Sequence, residues 1–131
     1  ELFHASAGGG AWLGGEQLAV NAEPSPAGAL GATGFGYDPA THAGDLARVA
    51  RVMPLVRDVR RMGAASLDFA FVAAGRLDGY FERGLAPWDH AAGALLVTEA
   101  GGVIGFDSLP RRLTVAAGPG LFDALLAAAL D

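Results

Sequence analysis

Apolar and polar positions along this chain switch between two periods. From Leu2 to Val20 short apolar runs are broken by glycines. Gly14-Gly15, between Ala11-Trp12-Leu13 and Gln17-Leu18-Ala19-Val20, has the spacing of a two-residue hairpin turn. Glu23-Pro24-Ser25-Pro26 reads as a connector. Beyond it strand-like and helix-like segments alternate. Leu30–Phe35 is strand-like, and a helix opens at Asp38-Pro39 or Thr41 and runs through Leu46, Val49, Ala50 and Val52, with Pro54 disturbing its last turn. Val56–Arg60 predicts a strand, and Ala64–Ala74 a helix with Leu67, Phe71 and Ala74 on one side. Leu77–Glu82 is again strand-like. Val103–Phe106 and Leu113–Ala117 predict strands around a turn from Asp107 to Arg111, and a helix from Pro119 carries Leu121, Phe122, Leu125, Leu126 and Leu130. Strands alternating with helices imply an α/β sandwich.

The remaining helix, between Ala86 and Gly102, organises the rest. Pro87 at the entrance and Gly101-Gly102 past the exit give it the expected asymmetry of ends. Trp88, Ala91, Ala92, Leu95 and Leu96 share one face, and Ala94 and Val97 carry the apolar surface around the back, so the helix is expected to lie buried between layers. Asp89 in its first turn then needs a reason. It is either a carboxylate capping backbone N–H groups at the positive end of the helix dipole, or a hard oxygen ligand for a divalent cation. Glu82 lies at the carboxyl end of its strand, where open α/β sheets place their ligands. Glu99, ten residues along the helix, lies about 15 Å from Asp89 and outside that cluster.

Composition narrows the function. The chain is 52% hydrophobic and 18% charged over 131 residues, which suits a piece that buries surface against something else. A net charge of -5 argues against nucleic-acid binding, and the pairs Arg60-Arg61 and Arg111-Arg112 read as solvated surface charge. With no cysteine there is no disulfide or thiolate metal site, which fits a cytoplasmic protein. No apolar run reaches membrane-spanning length, and the start at Glu1-Leu2-Phe3-His4 does not resemble a signal peptide. His4, His42 and His90 match no zinc spacing, with His90 expected at a cleft edge. Gly8-Gly9-Gly10 is not followed by a phosphate-loop Gly-Lys, and Ser66 lacks a nucleophile elbow.

Trp88-Asp89-His90-Ala91-Ala92-Gly93, followed by Thr98-Glu99-Ala100-Gly101-Gly102, resembles the C-terminal signature of the inositol monophosphatase family of magnesium-dependent, lithium-sensitive phosphatases. Arg61-Met62-Gly63-Ala64-Ala65 and Ala73-Ala74-Gly75-Arg76-Leu77-Asp78-Gly79-Tyr80-Phe81-Glu82 fit the same pattern. So does Gly8-Gly9-Gly10-Ala11-Trp12-Leu13-Gly14-Gly15, which resembles the family's Gly-x-Gly-Ala-x-x-Asn-Gly hairpin with Gly14 in place of Asn. The resemblance implies a five-layer αβαβα fold. Residues 1–25 would be a hairpin of its larger sheet, and residues 26–131 the smaller C-terminal α/β half. The hairpin's partner strands would then lie outside this chain, leaving an exposed edge prone to association.

The resemblance also implies roles. Asp89 corresponds to a ligand of the second catalytic Mg2+, Glu82 to the glutamate that accepts substrate hydroxyls, and Gly63, Ala64 and Ala65 to a turn facing the substrate. Ala64 replaces a threonine there and removes one hydroxyl. The family's upstream glutamate and Asp-Pro-x-Asp-Gly-Thr motif are absent, since the only Asp-Pro is Asp38-Pro39. The implied whole is a phosphomonoesterase for inositol monophosphate or a related sugar phosphate, commonly dimeric, completed by an N-terminal half. Fructose bisphosphate, histidinol phosphate and phosphoadenosine phosphate are rival substrates, and a non-catalytic binding or assembly half-domain is the reading from another class.

Overall fold

The structure, a computed structural model, describes every residue from Glu1 to Asp131. The glycine-punctuated start forms a three-stranded antiparallel sheet of β1 (Phe3–Ser6), β2 (Gly10–Leu13) and β3 (Glu16–Gln17), in that order. The hairpin turn falls at Gly14-Gly15, where Gly14 has a φ of 57° that a side chain disfavours. The last strand is shorter than its apolar run predicts. Leu18 N–H still reaches Ala11 O, but Val20 N–H turns to Ala100 O and takes the chain out of the sheet.

The second sheet has five strands. These are β4 (Ala29–Thr33), β5 (Val56–Arg60), β6 (Gly79–Arg83), β7 (Val103–Phe106) and β8 (Leu113–Ala117), in the order β5-β4-β6-β8-β7. β5, β4 and β6 run parallel, while β8 and β7 are antiparallel to their neighbours. Asp78 pins the start of β6 by accepting Leu30 N–H at 2.7 Å and the Asn21 amide at 3.0 Å. The helices are α1 (His42–Val52), α2 (Ala65–Ala73), α3 (Pro87–Glu99) and α4 (Pro119–Ala129). Asp38 caps a 3-10 turn that leads into α1, and Pro54 sits in a second 3-10 turn that ends it.

Strand parity divides the core in two. Ala32, Tyr80 and Ala116 face α2 and α3, which are covered on their far side by the three-stranded sheet through Phe3, Ala5 and Ala11. Phe81, Leu113, Val115 and Ala117 face the other way, onto α1 and α4 through Val52, Leu121 and Leu125. The result is four layers, β-α-β-α. No helix is long and apolar enough to cross a membrane.

The packed faces of two helices differ from those expected. On α3 the buried residues are Gly93, Leu96 and Val97, whereas Trp88 is 86% exposed and Ala91 and Ala92 face solvent. The helix is apolar nearly all round, so the pattern has no polar side to fix its phase. Contact is set by a residue with no side chain: a Cβ on Gly93 would stand 2.4 Å from that of Phe69 on α2. α2 likewise buries Phe69, Ala70, Val72 and Ala73, leaving Leu67 exposed and Phe71 half-buried against Phe3.

Candidate active site

The parallel strands β5, β4 and β6 all end at one cleft of about 560 Å³, the position where α/β sheets hold ligands. Its walls come from the loop Gly34–Tyr37 after β4, from Arg61 and Gly63–Ser66 after β5, and from Glu82–Ala86 after β6, with Asp68, Trp88, Asp89 and Arg111. Gly63, Ala64, Ala65, Glu82 and Asp89, dispersed over 27 positions of sequence, therefore meet in one place.

Glu82 is held from two sides. Tyr80 and Glu82 are two residues apart on β6 and share its α2/α3 face, and the fully buried Tyr80 O–H donates to Glu82 Oε2. Small neighbours on both flanking strands, Ala32 and Ala116, leave room for the Tyr80 ring, which meets Phe69 edge-on at 5.0 Å. Burial, then the charge and hydrogen bond of Glu82, push the phenol pKa far up, so it remains a donor. Burial likewise raises the Glu82 pKa, against the opposing pull of Tyr80 and Arg61. Across β4, a Cβ on Gly34 would stand 2.2 Å from Glu82 Oε2. A side chain there would displace the carboxylate.

Gly63 turns the chain into α2 with a φ of 84°, and Ala64 occupies the helix N-cap with extended backbone and no side-chain hydrogen bond. Asp68, one turn further, is buried beside Glu82, whose charge adds to burial in pushing its pKa from 3.8 up to about 7. On α3, Ala86 N–H donates to Asp89 Oδ2 at 2.8 Å, and the other oxygen makes no hydrogen bond within the chain. Capping and ligation thus need not compete at Asp89, since one oxygen caps the helix and leaves the other free. No group of three or more His, Cys, Asp and Glu is placed to hold a metal, so Asp89 finds no full set of ligand partners within this chain.

The wall opposite is cationic. Arg111 is no solvated surface charge, as its pairing with Arg112 predicted: it lies against Gly36 and Gly84 and binds the buried Asp45. Arg61 stacks over Phe35 at 5.8 Å. Glu99 stands apart, accepting Gly10 N–H at 3.4 Å and tying α3 to β2. His90 stacks on Phe106 at 5.1 Å beside an adjoining depression, while His4 and His42 bond the carbonyls of Gly14 and Gly36. Ser66 is an exposed part of the cleft lining. Gly34, Asp68, Tyr80 and the Asp45–Arg111 pair are what the sequence reading missed. Tyr80 had a legible signal, its two-residue spacing from Glu82, but the others depend on contacts between distant segments.

The model of the inositol monophosphatase family matches residues 1–130. The chain belongs to the inositol monophosphatase family. Among curated relatives, an inositol-1-monophosphatase of Mycobacterium leprae is 49% identical over 108 residues, covering 76% of this chain and 36% of that protein. The Nus factor SuhB of Escherichia coli K12 is 42% identical over 133 residues, covering 97% of this chain and 50% of that protein. Two solved structures share the fold. Mycobacterium tuberculosis SuhB superposes with a TM-score of 0.86 at 45% identity, over 96% of this chain and 52% of that one. The inositol monophosphatase of Anabaena superposes at 0.89 and 36% identity, over 98% of this chain and 53% of that one. This inositol monophosphatase family chain thus spans between about a third and a half of the relatives it matches.

Proposed function

We propose that this chain is the C-terminal half of a Mg2+-dependent phosphomonoesterase that hydrolyses inositol monophosphate or a related sugar phosphate. The observation that supports this best is the free oxygen of Asp89 in the same cleft as the Tyr80-braced Glu82. A lone carboxylate oxygen fits Mg2+, which takes few protein oxygens and keeps waters, provided that the remaining ligands come from an N-terminal half. When bound, such ions polarise the phosphoryl group and activate water. The chain's own residues bind and orient. Glu82 accepts substrate hydroxyls, and Tyr80 fixes which of its oxygens is free to do so. The N-terminal turns of α2 and α3 both border the cleft and favour an anion such as the phosphate. The Gly63-Ala64-Ala65 turn lies against the substrate, with Ala64 offering it no hydroxyl. In this reading residues 1–25 extend a larger sheet, and the whole enzyme is a cytoplasmic, lithium-sensitive homodimer. Fructose bisphosphate, histidinol phosphate and phosphoadenosine phosphate are the rival substrates.

A second reading, a non-catalytic assembly module, draws on the match to a Nus factor across nearly the whole chain. One assay separates them. With an N-terminal half carrying a glutamate and Asp-Pro-x-Asp-Gly-Thr joined to this chain, magnesium-dependent phosphate release from inositol 1-phosphate is expected, and the 131 residues alone are expected to release none. Turnover by the chain alone would remove the need for the other half. An upstream sequence lacking those motifs, with no turnover, would favour assembly.

A further inference from the structure

β4 and β6 lie side by side, yet the chain leaves β4 for α1 on one face of the sheet and leaves β6 for α3 on the other. Neighbouring strands whose exits go to opposite faces must part, and the gap between them is where α/β sheets hold ligands. The parting can be followed residue by residue. Thr33 is still paired with Phe81, to whose carbonyl its hydroxyl donates at 2.6 Å. One step on, Gly34 lies directly against the Glu82 carboxylate. Two steps further, the Arg111 side chain lies against both strand exits. A Cβ would stand 2.7 Å from its Nη2 at Gly36 and 3.0 Å from its Nε at Gly84. Arg111 is tied down at both ends. Its carbonyl accepts Arg83 Nη1 at 2.8 Å, and the Arg112 carbonyl accepts Gly84 N–H at 2.9 Å, which binds the turn before β8 to the exit of β6. Its guanidinium is gripped by both oxygens of the buried Asp45, which also takes Gly36 N–H from the β4 side.

We propose that Arg111 is a positioning residue for Glu82: a wedge, seated on Asp45, that fixes how far the ends of β4 and β6 stand apart. It thereby fixes where the Glu82 carboxylate meets the substrate. Every contact that seats the wedge lies within this chain, so none depends on what completes the cleft. A guanidinium suits the task and an ammonium does not, because a planar fork meets both carboxylate oxygens at once and holds its angle. The charge of Arg111 is already matched by a buried carboxylate, which sets it apart from a group that holds the phosphate. Glycine at 34, 36 and 84 leaves the two exits bare where Glu82 and the guanidinium lie against them, so both side chains rest on backbone and have defined seats.

Because Glu82 is read above as the acceptor of substrate hydroxyls, the wedge rests on that reading, and two esters keep them apart. In the full-length enzyme, KM and kcat are compared for inositol 1-phosphate and for p-nitrophenyl phosphate, which has no free hydroxyl for Glu82 to accept. Arg111→Lys keeps the charge but loses the fork. Asp45→Asn keeps the shape but puts an amide N–H where Arg111 needs an acceptor. Each is expected to raise KM for the inositol ester about five-fold, with kcat and the aryl ester little changed. The double variant is expected to be no worse than either alone, since both substitutions remove the same seat. Effects that multiply, an equal rise on both esters, a change carried by kcat, or no change would each overturn the wedge. So would a lower KM in Asp45→Asn, the mark of an unmasked cation that holds the phosphate. Arg111→Lys, at a side chain 31% exposed, carries the test on the two esters if Asp45→Asn does not fold. Wild-type enzyme that cleaves the aryl ester but not the inositol ester would instead overturn the polyol reading, and the positioning role with it.

Discussion

Arg111 grips Asp45 through two parallel hydrogen bonds, Nη1 to Oδ1 at 2.7 Å and Nη2 to Oδ2 at 2.8 Å. The same carboxylate takes Gly36 N–H at 3.0 Å and Arg48 Nη1 at 3.0 Å. One buried side chain on α1 thereby joins the loop after β4 to the turn before β8, and both border the cleft. Burial pushes the Asp45 pKa up, but Arg111, the Gly36 amide and Arg48 together outweigh it and hold the carboxyl below its ordinary range.

Asp45→Ala takes both bonds of the carboxylate from Arg111 and one from the almost completely buried Arg48, which keeps Asp131 and the Ala129 carbonyl. Breaking a buried pair from one side costs about 3 kcal/mol or more, which urea unfolding would read. The native pKa lies below the unfolded one, so this contribution is complete above the ordinary carboxylate range and drains away as pH falls through the native pKa. A loss equal at pH 7 and pH 2.5 would contradict the assignment.

Asp68 has the opposite sign. Its pKa is raised from 3.8 to about 7, so the native state holds the proton more tightly than the unfolded chain. What Asp68 contributes to stability is fully present below about pH 4 and lost as pH rises through 7. Asp68→Asn cannot ionise. Its melting temperature should gain on that of the wild type from pH 5 to pH 8; a constant difference would mean that the carboxyl stays ionised throughout.

At Asp89 the cap and the free oxygen can be separated by one substitution. Asn caps a helix about as well as Asp, so Asp89→Asn should change metal-free stability by no more than about 1 kcal/mol. It removes the charge a hard dication needs, and activity of the full-length enzyme should fall by orders of magnitude with a weakened magnesium response. Normal activity at ordinary magnesium would leave Asp89 as a cap alone.

Gly34→Ala tests the seat of Glu82 without touching it. The new Cβ would meet the carboxylate at 2.2 Å, and Glu82, tied to Tyr80, has little freedom to withdraw. KM for a polyol phosphate should rise several-fold, with little change in melting temperature, because Gly34 lies at the cleft rather than in either core. An unaltered KM would mean that Glu82 does not face the substrate.

The α/β alternation was legible because strands such as Val56–Arg60 and Leu113–Ala117 are bounded by glycines, prolines or charges. Glu82 and Asp89 were legible through a local signature only seven residues apart. The phase of α3 was not, since an almost uniformly apolar helix gives periodicity nothing to grip. Asp68 is a polar residue in the first turn of α2, which draws no notice in a sequence, and only the convergence of β6 with α2 brings it buried to the same cleft as Glu82. Arg111 looked like one of two surface charges; its partner lies 66 positions away.

The close crossing at Gly93 has a consequence for the chemistry. α2 carries Ala65 and Asp68, α3 carries Asp89, and the absent side chain lets the two rods lie in direct contact about one turn beyond the cleft. The crossing acts as the rivet of a pair of calipers, setting how far apart the jaws stand. A methyl group at Gly93 would therefore alter the gauge of the cleft before altering any group within it, and the first property to drift would be the distance between the ends of α2 and α3 that border it.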